Sequence, residues 1–477
     1  MSSATKSREI QIPIQALRRG LFVSGLDRDW SETPFIFQGF LIEGDQEIAD
    51  LSKLCAWVAI DPALSDADAV RPILEGRIPE ESQTETPVRR AATPGRKTES
   101  VAPKTTPRGE PVPWLRRSSA KKRKASKKRK ASGPPFVAIP DNERSPLVPQ
   151  TIPLVRYKYE TPFEKEIEAA DDAASVADDA LKTLLRDLDK GGELNLVELR
   201  SSAEDLALSV VRNPDALQWL VRMRDTNNDI YTHGVKVAVY LMTFARHLGF
   251  APGELVQMAT IGLLLDVGKI YIDHELLHRA GPLNDEELAR VQEHVKVGVD
   301  ALAGEGSLPK IVIDAIAEHH ERADGTGYPN QLSLDAISIH GRMAAIVDSF
   351  AAMTSRRSYA STLAPFKAMK VMYGETGTKF HAPLVEQFVQ ALGIFPTGAL
   401  VELSTGEVAI VVCHNRVRRL EPRVLVVTDT AKKQLAVPYE FDLMTQSQGT
   451  LHSKPVRIDK GLADGAYGLN LAALYAG

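Results

Sequence analysis

Apolar and polar residues change their rhythm three times along this chain, and each change marks a module. From residue 9 to about 78, short alternating runs predict strands at Ile10-Gln-Ile-Pro-Ile, at Leu21-Phe-Val-Ser and over 35–42. A helix is expected over 45–54 with Asp45 at its start, and a returning strand at Trp57-Val-Ala-Ile-Asp61. From about 163 to 392 the period becomes helical: 169–188, 194–211 and 215–224 are amphipathic, and 235–248 and 255–265 are apolar enough to be buried. Gly249 and Gly268 are expected helix stops, Gly281-Pro282 a turn, and Asn284-Asp-Glu-Glu a capped helix start. Helices over 308–320, 341–353 and 364–374 complete the bundle. After Gly393 the period returns to strands at 399–403, 408–413 and 424–428, the first two joined by Ser404-Thr-Gly-Glu as a hairpin turn. The expected class is mainly α: a helical domain over 153–395, flanked by a small α+β domain over 1–78 and a small β-rich module over 396–477.

Between the first two modules, residues 79–152 read as a disordered linker. Pro, Ser, Thr, Lys and Arg dominate there, and apolar residues are too sparse to offset chain entropy. Lys-Lys-Arg-Lys-Ala-Ser occurs at 121–126 and again at 127–132. The net charge of −4 is therefore uneven, because ten Lys and Arg with no acid fall within 116–130 and leave a remainder near −14. An acidic body with one basic tether excludes a general nucleic-acid binder. The tether is read as solvated, with weak docking on nucleic acid or anionic lipid as the sharper alternative. Trp114 within it is either incidental or a docking anchor. Two cysteines, Cys55 and Cys413, form no framework and suit a reducing compartment. No apolar run approaches the roughly 20 residues of a membrane span, so the cytoplasm is the expected location.

The chemistry-bearing residues are His233, Asp266, His294, His319, His320 and Asp348, all on predicted helices or at their ends. Imidazole and carboxylate together suit Zn, Mn and Fe. Any one of these histidines alone would be an ordinary core or surface residue. Their order and flanks are more specific: Ile-Gly-Leu-Leu-Leu-Asp-Val-Gly-Lys at 261–269, His294 with Gly298, His-His-Glu-Arg-Ala-Asp-Gly-Thr-Gly-Tyr-Pro at 319–329, and the run from Asp348 to Tyr359.

That arrangement resembles the HD-GYP family, cyclic di-GMP phosphodiesterases within the HD superfamily, closely over 225–365 and loosely over 160–395; the N-terminal domain is similar to the small module often found ahead of this domain. The resemblance implies two, at most three, divalent metals, Fe or Mn first and Zn or Mg next. Asp266 would bridge them. His233 and Asp348 would complete one site, and His294, His319 and His320 the other, with Asp229 available to an additional ion. Metal-activated water would attack a phosphorus of the cyclic dinucleotide in line. Lys269 and Arg357 would hold phosphates, Tyr328 would meet a guanine, and Gly327 and Pro329 would shape the loop that carries it. A diguanylate cyclase domain is an implied partner of that loop.

The chain departs from the family pattern at Leu265, where the resemblance implies a histidine ligand to the site of His233 and Asp348. Ala351 and Ala360 stand where the family often has an acid and a base. The expected function is metal-dependent hydrolysis of cyclic di-GMP, impaired by Leu265. The alternative is a catalytically inactive cyclic di-GMP receptor or protein-interaction module. A third reading, hydrolysis of another phosphodiester or nucleotide phosphate, is opposed by the Gly-Tyr-Pro signature.

Overall fold

A computed structural model describes residues 10–27, 40–42, 45–62, 65–74, 112–115, 136–158, 161–192, 194–224, 230–279, 281–355, 362–415, 418–446 and 456–476. The chain divides into two compact units, Met1–Lys104 and Thr105–Gly477. The basic repeat, Asp229, Arg357 and Ala360 lie outside the described residues.

In the first unit, strands β1 (Ile10–Pro13), β2 (Phe22–Leu26), β3 (Phe40–Leu41) and β4 (Trp57–Ile60) form an antiparallel sheet in the order β1-β4-β2-β3. Helices α1 (Asp45–Leu54) and α2 (Ala67–Leu74) accompany it. Alternation in β1 and β4 puts Ile12, Val58 and Ile60 into a core with Leu21, Leu51 and Val70. Helix α2 was not expected; Pro72 inside it masks the periodic signal.

The second unit begins inside the span read as linker. Strand β5 (Phe136–Ala138) pairs with β6 (Val155–Tyr157). Trp114 is an anchor: its Nε1 donates to Glu440 Oε1 at 2.6 Å, and its ring meets Phe163 and Trp219 edge-on at 5.0 and 5.2 Å. An indole with its N–H bonded is well suited to such a seat.

Eleven helices of this unit follow: α3 (Phe163–Asp189), α4 (Val197–Arg212), α5 (Pro214–Met223), α6 (Ile230–His247), α7 (Pro252–Leu264), α8 (His274–His278), α9 (Asp285–Glu305), α10 (Lys310–Glu318), α11 (Ile339–Thr354), α12 (Pro365–Gly374) and α13 (Ala382–Leu392). Their limits follow from capping chemistry. Asn213 caps α5 with Pro214 behind it, Asn284 and Glu287 form a capping box on α9, and Ser338 caps α11. Helix α13 escaped the sequence reading. Helix α7 is mostly apolar, and Leu255, Met258, Ile261, Leu263 and Leu264 are all buried. It packs on α6 without spacing side chains: a Cβ on Gly262 would lie 2.4 Å from Ala238 Cα. That backbone approach sets the start of α6 beside the end of α7.

The C-terminal sheet runs β10 (Gln434–Asp442), β9 (Arg423–Thr428), β8 (Val408–Cys413), β7 (Leu400–Leu403) and β11 (Ile458–Leu462), all neighbours antiparallel. Strands β10 and β11 were not expected, since mixed burial hides their alternation. The sheet belongs to the same compact unit as the bundle.

Acid should destabilise this unit through its buried histidines. Burial, with repulsion from Arg419, pushes His247 down to about 4 against the Gln387 hydrogen bond. Burial also takes His294 to about 4. An unfolded histidine titrates near 6.5, so between these values the unfolded chain binds more protons, and stability falls as pH drops through the window. For His247 alone the loss is on the order of 3 kcal/mol. In urea denaturation, His247→Gln is expected to lose less stability than the native chain between pH 7 and 4.5.

Candidate metal centre

Two groups of donors meet at the start of α6, just past the ends of α7 and α10, and at the middles of α9 and α11. One holds His233, Asp266 and Asp348, and the other His294, His319 and His320, with ligand atoms inside each group within 4.8 Å of one another. Asp266 joins the groups: Oδ2 is 3.8 Å from His233 Nε2 and Oδ1 is 3.5 Å from His294 Nε2.

Local sequence explains each placement. Asp266 follows α7 and opens the 3-10 turn Val267–Tyr271, which swings Lys269 back so that Nζ donates to Asp266 Oδ2 at 2.5 Å. Gly268, read from the sequence as a helix stop, lies inside this turn and lets it rest on the α9 backbone. A Cβ on Gly268 would sit 1.9 Å from His294 O, and one on Gly298 would sit 3.0 Å from Gly268 N. The four-residue spacing of His294 and Gly298 therefore presents imidazole and contact glycine on one α9 face. Gly268→Ala should displace α9, lower the thermal midpoint by about 5 °C or more, and weaken metal binding at His294. Melting curves with and without Mn(II) check this.

The histidines are aimed. His294 Nδ1 donates to Val291 O at 2.7 Å, and His319 Nδ1 donates to Ile316 O at 2.6 Å. Each bond fixes the tautomer and leaves the Nε2 lone pair pointing inward. Burial holds His294 and His320 neutral at pH 7, with His294 at about 4 and His320 well below its usual range. Burial raises both aspartates, but charge outweighs it: Lys269 and then His233 keep Asp266 ionised, and the hydrogen bond from His233 keeps Asp348 ionised. His233 Nε2 donates to Asp348 Oδ1 at 2.8 Å.

These residues fit a divalent cation. Asp266 Oδ1, His294 Nε2 and His319 Nε2 are buried side-chain atoms with no hydrogen-bond partner among the described residues, an expensive arrangement unless a cation takes their lone pairs. The Lys269 ammonium already occupies Asp266 Oδ2 as a positive charge. Leu265, at the C-cap of α7, is 1 % exposed and brings no donor. His274 opens α8, exposed to solvent, and stands outside both groups.

The remaining signature residues build the loop. Buried Glu321 accepts from Asn330 N at 2.7 Å and Leu332 N at 2.9 Å. Gly325 has φ +79°, and a Cβ on Gly327 would be 2.4 Å from Arg322 N. Asp324 Oδ1 accepts from Thr326 N and Oγ1. Tyr328 stacks on His320 with centroids 4.7 Å apart and precedes Pro329 through a cis bond. Sequence reasoning missed Glu318, whose Oε2 accepts from Ser338 N at 2.9 Å and from Ser338 Oγ, tying the end of α10 to the cap of α11. Its position just before His319 was the available signal.

The HD domain family matches residues 215–384, and a domain of unknown function (DUF3391) matches residues 9–199. The cyclic di-GMP phosphodiesterase PA4108 of Pseudomonas aeruginosa is 32% identical over 295 residues, 62% of this chain and 70% of that protein. The 3'3'-cGAMP-specific phosphodiesterase 2 of Vibrio cholerae is 33% identical over 196 residues, 41% of this chain and 36% of that protein. Among solved structures, Bd1817, an HDG"Y"P protein of Bdellovibrio bacteriovorus, aligns with a TM-score of 0.42 at 14% identity over 81% of this chain and 99% of that one. With the HD match laid over both donor groups and the Pseudomonas relative covered across more than two thirds of its length, the chain belongs to the HD-GYP family of HD-domain proteins.

Proposed function

We propose that this chain is a cyclic di-GMP signalling protein that hydrolyses the dinucleotide's phosphodiester with divalent metals held by His233, Asp266 and Asp348 and by His294, His319 and His320. The observation that carries the reading is the set of buried lone pairs on Asp266, His294 and His319 that have no partner among the described residues. Metals bound there would acidify a water and neutralise charge on phosphoryl oxygens; Mn or Fe suits the mixed nitrogen and oxygen donors. Lys269, partly exposed beside Asp266, supplies a point charge for a phosphate at the rim. Tyr328 keeps its proton at neutral pH, because burial and the Asp348 and Asp266 charges raise it, so its hydroxyl is a hydrogen-bond donor. Gly327 and Pro329 hold that ring in place; Arg357, outside the described residues, is the second proposed phosphate contact. No helix among the described residues is long and apolar enough to cross a membrane.

Among the described residues the group of His233 has three protein donors. Three ligands and water still hold a metal, so the reading is reduced turnover. A silent receptor is the second reading, motivated by buried Leu265. Substrate choice is tested by competing cyclic di-GMP against 3'3'-cGAMP with Mn(II)-loaded protein. A higher kcat/KM for cyclic di-GMP is expected; preference for the mixed dinucleotide would reassign the substrate.

A further inference from the structure

We propose that the C-terminal β-module positions the metal centre, through Asp464 acting on Arg222 at the end of α11. The proposal rests on the reading that His233, Asp266 and Asp348 hold a divalent metal.

Helix α11 carries Asp348 and ends at Thr354, with Ser355 as its C-cap. Two buried cations close that end. Arg222, from α5, donates through Nη1 to Thr354 O at 3.0 Å. Lys236, from α6, donates to Ser355 Oγ at 2.7 Å, and Ser355 Oγ donates to Ala351 O at 2.7 Å. Both cations are almost sealed from solvent, Arg222 at 2% and Lys236 at 1% exposed. Positive charge at a helix C-terminus complements the helix dipole, but a buried guanidinium needs a counter-charge. Asp464 provides it: Oδ1 accepts from Arg222 Nη2 at 2.7 Å, and the carboxylate side chain is 6% exposed. Gly398, at the entry to β7, grips the stem of the same arginine, since a Cβ there would lie 2.6 Å from Arg222 Cβ.

The consequence concerns register. Helices α6 and α11 touch at His233–Asp348 and, one turn further along α6, at Lys236–Ser355. Arg222 holds the same end of α11 from a third helix. Fixing that end fixes where Asp348 stands against His233, and so the opening of a donor group that has three members among the described residues. Asp464 and Arg222 touch none of the donors, so they are positioning residues.

The test titrates Mn(II) alone into the full chain and follows bound metal per chain, with melting curves beside it. Asp464→Leu should lower the thermal midpoint by about 10 °C, because the buried guanidinium of Arg222 loses the Asp464 carboxylate. The double variant Arg222→Met with Asp464→Leu should recover to within about 3 °C of native. Its affinity for the weaker Mn(II) class should nevertheless stay at least about tenfold below native. Native affinity in the recovered double variant would show a purely structural pair and overturn the proposal. If that variant does not fold, Asp464→Asn keeps the shape without the charge: tenfold weaker Mn(II) binding supports the proposal, and unchanged binding overturns it. A native chain that binds no Mn(II) would also overturn it. Dinucleotide turnover does not enter this readout, so its absence would count against the phosphodiesterase reading alone.

Discussion

Asp266→Asn is expected to abolish turnover, by about 10³-fold or more, and to remove metal from both donor groups. Asparagine keeps the shape but loses the charge, and its nitrogen cannot ligate. Asp266 lies within 4 Å of donors in both groups, facing His233 with one oxygen and His294 with the other. Partners that merely orient a ligand are worth about 10–100-fold; a ligand shared by two ions should exceed that. The variant should stay folded, since burial already favours the neutral form at this position. Metal analysis of the purified variant beside the native protein, with melting curves to verify folding, checks both halves. Loss of only one metal with turnover within tenfold of native would contradict the bridging role.

Leu265→His has the second largest expected effect, in the opposite direction. Leu265 is sealed at the end of α7, one residue before Asp266. A neutral imidazole there costs about 1–3 kcal/mol without metal, because an apolar contact is replaced by a polar group lacking a fixed partner. With metal that cost is returned through ligation. The metal-free variant should therefore melt several degrees below native, and Mn(II) should raise its midpoint more than it raises the native one. Turnover should rise by about 10–100-fold. If the variant gains neither metal affinity nor rate, the leucine is not what limits this centre.

How much of this was legible beforehand depends on the element. Helices with one apolar face or a defined cap could be read to within a few residues, as α9 with Asn284 and Glu287 shows. Helix α2 with its internal proline and strand β10 with its mixed burial could not. The donors were legible because residue type and order carry them, and the fold brings six of the seven proposed ligands into two groups; Asp229 lies outside the described residues. What the sequence concealed is how they are brought together. Gly268 read as punctuation because a glycine's local meaning is a turn, whereas here its missing side chain admits another helix's backbone. Glu321 looked like part of a motif and Glu318 drew no notice, yet both act as acceptors for the backbone and side chains that set the loop and α11. The Arg222–Asp464 pair spans 242 positions, a separation that no local pattern reports.

The most direct test of the central claim is cyclic di-GMP turnover by the native protein, purified without chelators, supplied with Mn(II) or Fe(II), and followed by product mass. Linear dinucleotide or GMP that appears with metal and stops with chelator is the predicted result. A fully metallated native protein that releases neither product would contradict it, and the chain would then be a receptor built on a hydrolase scaffold.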